Sequence, residues 1–448
     1  MYRKILTDLT RWKSKTDRKP LILTGARQVG KTYSLKAFGK SEYPKAHYLN
    51  FEAEVLLEKI FEKDFKPARI ISEINFHLGT SINIEHDLLI FDEIQNAPRA
   101  ITSLKYFAEE MPQLSLCCAG SLLGLHLNES HFPVGKVNFL AMAPMSFEEF
   151  LLATDDERSF HFLDQYTLQD AVPPLIHDHL WQALKSYLVV GGLPEVVLAF
   201  ASQKHNTFQA FENTRVIQHD LITAYLADVA KHSGKINSMH IDRLWKNIPA
   251  QLARTQDGSA SKFIFKNVVP GVHGYERLVG AIDWLKMAGL VYKLPIVNKA
   301  WLPLQAYSDE SIFKLYLFDI GLLGALGGVT PKLLIDFDFG SYKGFIAENF
   351  VLQEMNTAAI LNMVAWKEKT AEVEFLFDFD GKVLPIEVKS GWVTHAKSLK
   401  VFAEKYHPPY RITLSAKNVS VDKTNGILHL PLYLASRIPK LLASLTHA

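Results

Sequence analysis

The chain lacks the features that mark secreted and membrane proteins. Its 448 residues include only two cysteines, and these are adjacent, at 117 and 118, where they are poorly placed to bridge each other. Nothing in the sequence therefore indicates a disulfide framework, and a reducing cytoplasm is favoured. No apolar run approaches the length of a membrane span, and the first 15 residues carry scattered charge instead of an apolar signal core. We therefore expect a cytoplasmic protein without a membrane partner.

The chain also lacks an excess of either charge. Its net charge is +2, and its 48% apolar and 21% charged residues are typical of a globular protein. A local basic surface is compatible with this total, so the composition neither requires nor excludes a nucleic-acid partner. The length exceeds that of one hydrophobic core and predicts roughly two to four domains.

A glycine-rich segment near the N-terminus carries the clearest chemistry. The segment PLILTGARQVGKT predicts a strand at residues 21–24, a loop and then a helix, and it matches the P-loop pattern G-x4-G-K-T in full. In such a loop the backbone N–H groups surround phosphate oxygens, the lysine reaches the β- and γ-phosphates, and the threonine hydroxyl ligates Mg²⁺. The predicted nucleotide-binding residues are Gly25, Ala26, Arg27, Gln28, Val29, Gly30, Lys31, Thr32 and Tyr33.

A pair of acids follows at DLLIFDEIQNAP. Four apolar residues end in Asp92 and Glu93, which predicts a buried parallel strand with two carboxylates at its C-terminal end. We expect Asp92 to hold Mg²⁺ together with Thr32, and Glu93 to orient or deprotonate the attacking water. Ser121, which follows the strand in LSLCCAG, is placed to sense the γ-phosphate. The sequence therefore predicts an ATP- and Mg²⁺-dependent hydrolase with Lys31, Glu93 and Ser121 in catalytic roles.

These motifs, in this order, resemble those of the AAA-type ATPases within the P-loop superfamily. The chain is similar to a bacterial and archaeal family in which such a core precedes a C-terminal domain of unknown function. The resemblance is carried by PLILTGARQVGKT, YLNFE, LLIFDEIQ, AGSLLG, MSFEEF, YLVVGGLPEVV, KLYLFDIGLLGAL, GFIAENFVLQEM and IEVKSG. It implies a helical lid in which Gly191, Gly192 and Pro194 pack near the adenine, although the same segment is equally typical of a turn between helices. Where the family has Gly-Arg before the fifth strand, this chain has Gly135-Lys136, which leaves the arginine finger unassigned.

The predicted fold is α/β, in four segments. They are an AAA-type ATPase core at 1–150, a helical lid at 151–230, a winged-helix-like segment at 231–330 and a restriction-endonuclease-like domain at 331–448. The third segment is predicted from a helix that ends at Gly289 and runs into a strand and hairpin. The apolar positions on one face of this helix are Leu278, Ala281, Ile282 and Leu285. Winged-helix domains bind DNA or proteins, so this shape does not select the partner.

The C-terminal hundred residues are predicted to bring acids together on one face of a hairpin. GFIAENFVLQEM predicts a helix carrying Glu348, and the strands EVEFLFDF and KVLPIEVK are joined by Asp-Gly at 380–381. A two-residue loop of this type sets the register, so Glu374 should lie opposite Glu387 and Glu372 opposite Lys389. Facing carboxylates require a cation between them, which is either the lysine or a divalent metal.

A helix glutamate, a strand acid and Glu-x-Lys together resemble the site of the restriction-endonuclease-like nucleases. In that fold the acids hold Mg²⁺ and the lysine positions or activates the water. The candidate nuclease site is Glu348, Glu374, Glu387 and Lys389. Family members commonly carry Asp in place of Glu374, and Pro385 predicts an edge strand or a bulge. Two alternatives stay open: an active nuclease, and an inactive fold whose charges form a structural cluster or a DNA-docking face.

The resemblance also implies partners. AAA-type sites usually lie between subunits, so we expect a homo-oligomer, such as a ring, and the competing class is a monomeric nucleotide switch. A winged helix beside a nuclease-like fold favours DNA as the partner. The rival hypothesis is a protein-interaction ATPase with an inactive nuclease-like docking domain.

Overall fold

The structure is a computed structural model that describes residues 1–121, 132–256, 260–335, 344–360, 362–389 and 397–446. The chain forms two units: Met1–Ala143 with Met287–Gly289, and Pro144–Lys286 with Leu290–Ala448. Among the described residues, no helix combines the length and the apolar character that crossing a bilayer would need.

The smaller unit is built on a five-stranded parallel sheet. Its strands are β1 (Leu21–Thr24), β2 (Ala46–Asn50), β3 (Leu88–Asp92), β4 (Ser115–Ala119) and β5 (Asn138–Ala141). They lie in the order β2-β3-β4-β1-β5, and each neighbouring pair is parallel. β3 and β4 are buried along their whole length, and the two cysteines lie in β4 as free thiols. The strands predicted at residues 21–24, before Asp92 and in LSLCCAG are present.

Four helices of the smaller unit alternate with these strands. They are α1 (Ile5–Lys13), α2 (Lys31–Glu42), α3 (Pro67–Leu78) and α4 (Pro98–Glu110). α3 and α4 begin with proline, which is tolerated in a first turn because the missing N–H would have no helical partner there. α2 begins directly after Gly30, whose φ of +94° lies in the region that favours glycine. The end of the glycine-rich loop therefore determines where α2 starts.

The larger unit begins with helices. They are α5 (Phe147–Ala153), α6 (Glu157–Gln165), α7 (Pro174–Val190), α8 (Pro194–Ser202), α9 (Thr207–His232), α10 (Lys235–Gln256) and α11 (Val279–Met287). α5 starts with a capping box, in which the Ser146 hydroxyl accepts from the Glu149 N–H and the Glu149 carboxylate accepts from the Ser146 N–H. The motif MSFEEF therefore has a local structural reason for its Ser and second Glu.

The described residues in the remainder of the larger unit form one eight-stranded sheet and five α-helices. The strands are β6 (Val291–Val297), β7 (Ser308–Leu317), β8 (Val364–Glu368), β9 (Ala371–Phe379), β10 (Lys382–Val388), β11 (Arg411–Ser415), β12 (Ser420–Asp422) and β13 (Ile427–Pro431). Their order is β12-β13-β11-β10-β9-β8-β6-β7. The helices are α12 (Ile320–Leu326), α13 (Pro331–Ile335), α14 (Gly344–Thr357), α15 (Lys397–Tyr406) and α16 (Ile438–Thr446).

The hairpin predicted as a wing belongs to this same sheet. α11 runs into β6 as expected, the four apolar positions named for its face are buried, and β6 pairs with β7 in antiparallel orientation. β6 also pairs with β8, in parallel orientation. The predicted boundary between residues 330 and 331 therefore falls between strands of one sheet. The division into lid, winged-helix-like and endonuclease-like segments stays a prediction.

The β9–β10 hairpin has the predicted register, since Phe379 pairs with Lys382 and Phe375 with Ile386. The prediction of an edge strand or a bulge at Pro385 is wrong, because β10 lies between β9 and β11 and its pairing with β9 runs without a shift. Pairing with β11 begins only at Ile386. On the other side, hydrogen-bonded pairs alternate with non-bonded pairs from the turn onward, and Pro385 falls in a non-bonded pair. Its missing N–H therefore costs the β9 ladder nothing.

Candidate nucleotide site and carboxylate cluster

The loop between β1 and α2 encloses the side chain of Lys31. Its Nζ donates to the backbone oxygens of Gly25, at 2.9 Å, and Ala26, at 2.7 Å. Burial lowers the pKa of Lys31 to about 8, although Glu93 and Asp92 act in the opposite direction. Gly25 has a φ of +140°, and a Cβ there would lie 2.2 Å from the Met142 backbone oxygen. The loop is thus packed too closely to accept a side chain at this glycine.

Thr32 and Asp92 meet at the carboxyl edge of the parallel sheet. The Thr32 hydroxyl donates to Asp92 Oδ2 at 2.8 Å. Among the described residues no side chain caps the N-terminus of α2, so its first backbone N–H groups are suited to phosphate oxygens. A hydroxyl beside a carboxylate supplies the hard oxygen ligands that Mg²⁺ prefers. This donor set therefore fits a nucleoside triphosphate and Mg²⁺.

Glu93 lies beside Asp92 with a left-handed backbone conformation, at φ +51°. Its N–H donates to Asp92 Oδ1 at 3.1 Å, and its carboxylate accepts a hydrogen bond from Gln95 Nε2. A side chain in this backbone region is strained and must be held by its surroundings. Gln95, which the sequence analysis did not single out, orients the Glu93 carboxylate.

Tyr48 is a second residue at this edge that the sequence analysis missed. Its hydroxyl donates to Asp92 Oδ2 at 2.7 Å and accepts from Asn50 Nδ2 at 3.2 Å. The Nζ of Lys36 lies 3.6 Å from the centre of the Tyr48 ring. Burial and the hydrogen bond to Asp92 raise the pKa of Tyr48, so the phenol remains a donor. The sequence could have shown that Tyr48 lies on a strand, β2, but it does not reveal that β2 is the neighbour of β3.

The other predicted residues of the smaller unit have different surroundings. Ser121 is buried and accepts a hydrogen bond from Arg27 Nε at 3.0 Å, so these two lie together. The Tyr33 hydroxyl accepts from the N-terminal amine at 2.8 Å. Lys136 forms an ion pair with Glu109 at 2.9 Å. Tyr33 and Lys136 thus each have a protein partner of their own, and their roles toward ATP stay predictions.

The Gly-Gly-Leu-Pro segment lies in the larger unit and forms the turn between α7 and α8. Pro194 is the first residue of α8, and the Gly192 N–H donates to Asp319 Oδ2 at 2.7 Å. At Gly191, where φ is +77°, a Cβ would lie 2.4 Å from Asp319 Oδ1. This geometry gives the two glycines a structural role in the turn. Their predicted contact with adenine, like that of Pro194, stays a prediction.

A second polar site lies in the larger unit and consists of Glu348, Glu372, Glu374 and Glu387, called here the carboxylate cluster. Lys389 forms an ion pair with Glu387 Oε1, and the Val388 N–H donates to Glu374 Oε2 at 3.3 Å. Burial, followed by the charge of Glu348, raises the pKa of Glu374 to about 8, while Lys389 acts in the opposite direction. The four residues of the predicted nuclease site are therefore close enough to interact electrostatically.

Lys314 of β7 contributes a cation that the sequence analysis did not predict. Its Nζ lies 2.7 Å from Glu372 Oε1 and 3.6 Å from Glu348 Oε2. The Tyr316 hydroxyl donates to the same Glu348 oxygen at 2.8 Å. Burial alone would lower the pKa of Lys314, but Glu348 and Glu372 outweigh it and raise this pKa. Within the described ranges of the chain, no three His, Cys, Asp or Glu side chains are arranged to hold a metal ion.

Family comparisons agree with the architecture of the smaller unit. Residues 17–151 match the family model described as an AAA domain. Residues 182–333 and 343–433 match two models described as domains of unknown function, DUF8612 and DUF4143. The chain thus contains a P-loop AAA domain of the ATPase type, and this part of the predicted fold is confirmed. The search among curated proteins found no match.

Several solved structures are distantly similar to the chain. ORC1 of Aeropyrum pernix, solved in complex with DNA, is 12% identical, with 73% of this chain and 91% of that chain covered and a TM-score of 0.30. RuvB of Thermotoga maritima, described as a Holliday junction branch migration motor, is 14% identical, with 65% and 88% covered and a TM-score of 0.31. PCH-2 of C. elegans is 12% identical, with 47% and 66% covered and a TM-score of 0.25.

Proposed function

We propose that this chain is a Mg²⁺-dependent ATPase that couples ATP binding and hydrolysis to an action on DNA. The observation that carries the ATPase part is the contact between Thr32 and Asp92, with Lys31 buried in the loop and Glu93 at the same edge. These residues supply a cation for the phosphates, two oxygen ligands for Mg²⁺ and a base for water.

Each residue of this site has a separate task in the proposed reaction. Lys31 binds the negative charge of the β- and γ-phosphates, and Thr32 and Asp92 would hold Mg²⁺, which neutralises the charge that develops on the phosphate oxygens. Glu93 accepts the proton of the water that attacks the γ-phosphorus. Gln95 restricts the Glu93 carboxylate to an orientation, which reduces the entropy lost on reaching the transition state.

The DNA part is supported by a groove of about 540 Å³ in the larger unit. Its lining includes Lys262, Phe265, Lys266 and Tyr275. Lys293 Nζ donates to the Tyr275 hydroxyl at 3.1 Å and lies 4.9 Å from the centre of its ring. Lysines beside aromatic rings suit single-stranded nucleic acid, because the rings stack on bases while the ammonium groups contact phosphates. We therefore assign this groove as the DNA-binding surface of the proposed ATPase.

Charge reversal in the groove should weaken DNA binding and make the affinity for DNA less sensitive to salt. Asp283 and Glu310 act electrostatically on Tyr275, so we expect moderate affinity for DNA. For Lys262→Glu with Lys266→Glu, the slope of log affinity against log salt should fall by about 2, since each phosphate contact releases about one counterion. The measurement is fluorescence anisotropy with single-stranded, duplex and forked DNA, together with ATPase rate with and without each DNA.

The control for this experiment is Lys423→Glu, which reverses an exposed lysine outside the groove lining. It should leave both the affinity and the salt slope close to those of the wild-type chain. Wild-type protein that neither binds any of the three DNAs at low salt nor responds to them in ATPase rate would contradict the DNA proposal. The ATPase proposal would be unaffected by that result.

We also propose that ATP promotes a homo-oligomer. Mass measurement by light scattering, with a slowly hydrolysed ATP analogue and Mg²⁺, should give a multiple of the 50.7 kDa chain mass. Lys31→Ala, which should bind the analogue weakly, serves as the matched control and should remain at the mass of the nucleotide-free protein. A wild-type monomer at micromolar concentration with bound analogue would favour the monomeric switch instead.

A second candidate is an ATPase that binds a partner through an inactive nuclease-like domain and does not cut DNA. It is favoured by the lysines that form ion pairs within the carboxylate cluster, among them Lys314 and Lys389. Incubation of the wild-type chain with linear and circular DNA, Mg²⁺ and Mn²⁺ tests whether the domain is inactive, because an active nuclease would shorten or linearise the DNA and would contradict this candidate.

A further inference from the structure

The carboxylate cluster already contains a buried cation. Lys314 is buried, with a side chain only 3% exposed, and its Nζ contacts Glu372 and Glu348 at 2.7 and 3.6 Å. These two acids come from different elements, β9 and α14. The ammonium group therefore neutralises acids that the chain brings together only through its fold.

Side chains and backbone of the protein also supply hydrogen-bond and ion-pair donors to the other acids of the cluster. Tyr316 binds Glu348, Lys389 binds Glu387 through Oε1, and the Val388 N–H binds Glu374. A divalent ion would need several of these oxygens at about 2.0–2.2 Å in near-octahedral geometry, directed at one point. The Lys314 ammonium group opposes such binding, because two cations in the same cluster repel each other and compete for the same oxygens.

One atom of the cluster is left with unused bonding capacity. Glu387 Oε2 is buried and has no hydrogen-bond partner among the described residues. A buried carboxylate oxygen without a partner is costly unless a cation lies nearby. The lysines therefore offset part of the negative charge of the cluster, and the ability of the remaining oxygens to bind a further cation depends on whether Lys314 stays in place.

We propose that Lys314 takes the place of a divalent metal ion in the carboxylate cluster, so that the larger unit binds its partner without metal-dependent phosphodiester cleavage. The lysine lies on β7, outside the segment that resembles the nuclease motifs. The motif residues Glu348, Glu374, Glu387 and Lys389 are thus all present, yet the donor set does not fit a metal. This inference is independent of the nucleotide site in the smaller unit.

The test measures Mn²⁺ binding to the full chain without nucleotide, by electron paramagnetic resonance and calorimetry. Every protein in the series carries Asp92→Asn, which removes the charged one of the two predicted Mg²⁺ ligands of the nucleotide site. The chain with Lys314 intact should bind no Mn²⁺ at millimolar concentration through the cluster. Lys314→Ala should bind one Mn²⁺ per chain, because a competing charge is removed. Its affinity should be at least about tenfold higher than the millimolar limit for the chain with Lys314 intact.

Two matched variants identify the cause of any gain. Lys314→Arg keeps a cation in the cluster and should not gain Mn²⁺ binding. Glu387→Gln added to Lys314→Ala removes an expected ligand and should abolish the gain. Circular dichroism and thermal unfolding of each variant, with and without Mn²⁺, establish that it is folded, and Mn²⁺ should stabilise Lys314→Ala selectively.

Lys314→Ala leaves buried acids without their cation and could unfold the chain, so a charge-matched pair repeats the test. Lys314→Met with Glu372→Gln removes one charge of each sign and should also gain Mn²⁺ binding. A folded variant of either kind that gains none would overturn the proposal. Equally, Mn²⁺ bound by the chain with Lys314 intact, and lost on Glu374→Gln with Glu387→Gln, would mean that the native cluster is a metal site.

Discussion

Glu93→Gln should lower the rate of ATP hydrolysis by about 10²–10⁴-fold while ATP binding stays close to that of the wild-type chain. The amide keeps the shape of the side chain and cannot accept the proton of the attacking water. It also keeps an oxygen that can accept from Gln95, as the carboxylate does in the structure. The measurement is steady-state phosphate release, compared with binding of a fluorescent ATP analogue to both proteins.

Lys31→Ala is the contrasting variant for this prediction. Loss of the Lys31 ammonium group should weaken ATP binding at least tenfold, since a charge-assisted contact contributes about 1.5–3 kcal/mol. Because the pKa of Lys31 is lowered to about 8, wild-type affinity for ATP should fall as pH rises through that value, whereas affinity of Lys31→Ala should not. Equal turnover by Glu93→Gln and the wild-type chain would remove Glu93 from the mechanism.

Asp319→Ala should lower the free energy of unfolding of the larger unit by about 2–6 kcal/mol, since each of two buried backbone N–H groups left without an acceptor costs about 1–3 kcal/mol. Asp319 is buried and accepts from the backbone N–H groups of Gly192, at 2.7 Å, and Leu322, at 3.0 Å. Burial raises the pKa of Asp319 to about 6, while these N–H groups act in the opposite direction, so at pH 7.5 we expect the carboxylate to be ionised. Its removal leaves buried backbone donors without an acceptor.

Urea unfolding followed by tryptophan fluorescence suits this measurement, because Trp12 is the single tryptophan outside the larger unit. Gly191→Ala, which would bring a Cβ to 2.4 Å from Asp319 Oδ1, should also be strongly destabilising. Gly328→Ala is a control for the positive φ, because Gly328 has a φ of +64° but nothing within 4 Å of an added Cβ. Equal losses for the two alanines would attribute the effect to backbone strain alone and remove the contact with Asp319 from the account.

The sequence by itself determined the features whose causes lie close together along the chain. A strand, a glycine loop and a helix start are consecutive at residues 21–32, so the loop and its Lys31 could be located without knowledge of the fold. The β9–β10 register followed from Asp-Gly at 380–381, because a two-residue loop leaves one way to pair the strands. Side-chain alternation then placed Glu374 and Glu387 on one face.

Only the tertiary structure decided which distant residues meet. Periodicity tells which side of a strand is buried, but not which strand lies beside it, so Tyr48 and a central position for the Pro385 strand could not be predicted. The hydrogen bond from Gly192 to Asp319 joins residues 127 positions apart, and no local pattern links them. A buried carboxylate needs a partner, but the partner can come from any element that packs against it. In the carboxylate cluster, the fold brings Lys314 of β7 into contact with Glu348 and Glu372. The motif alone had predicted that the cation would be either Lys389 or a metal.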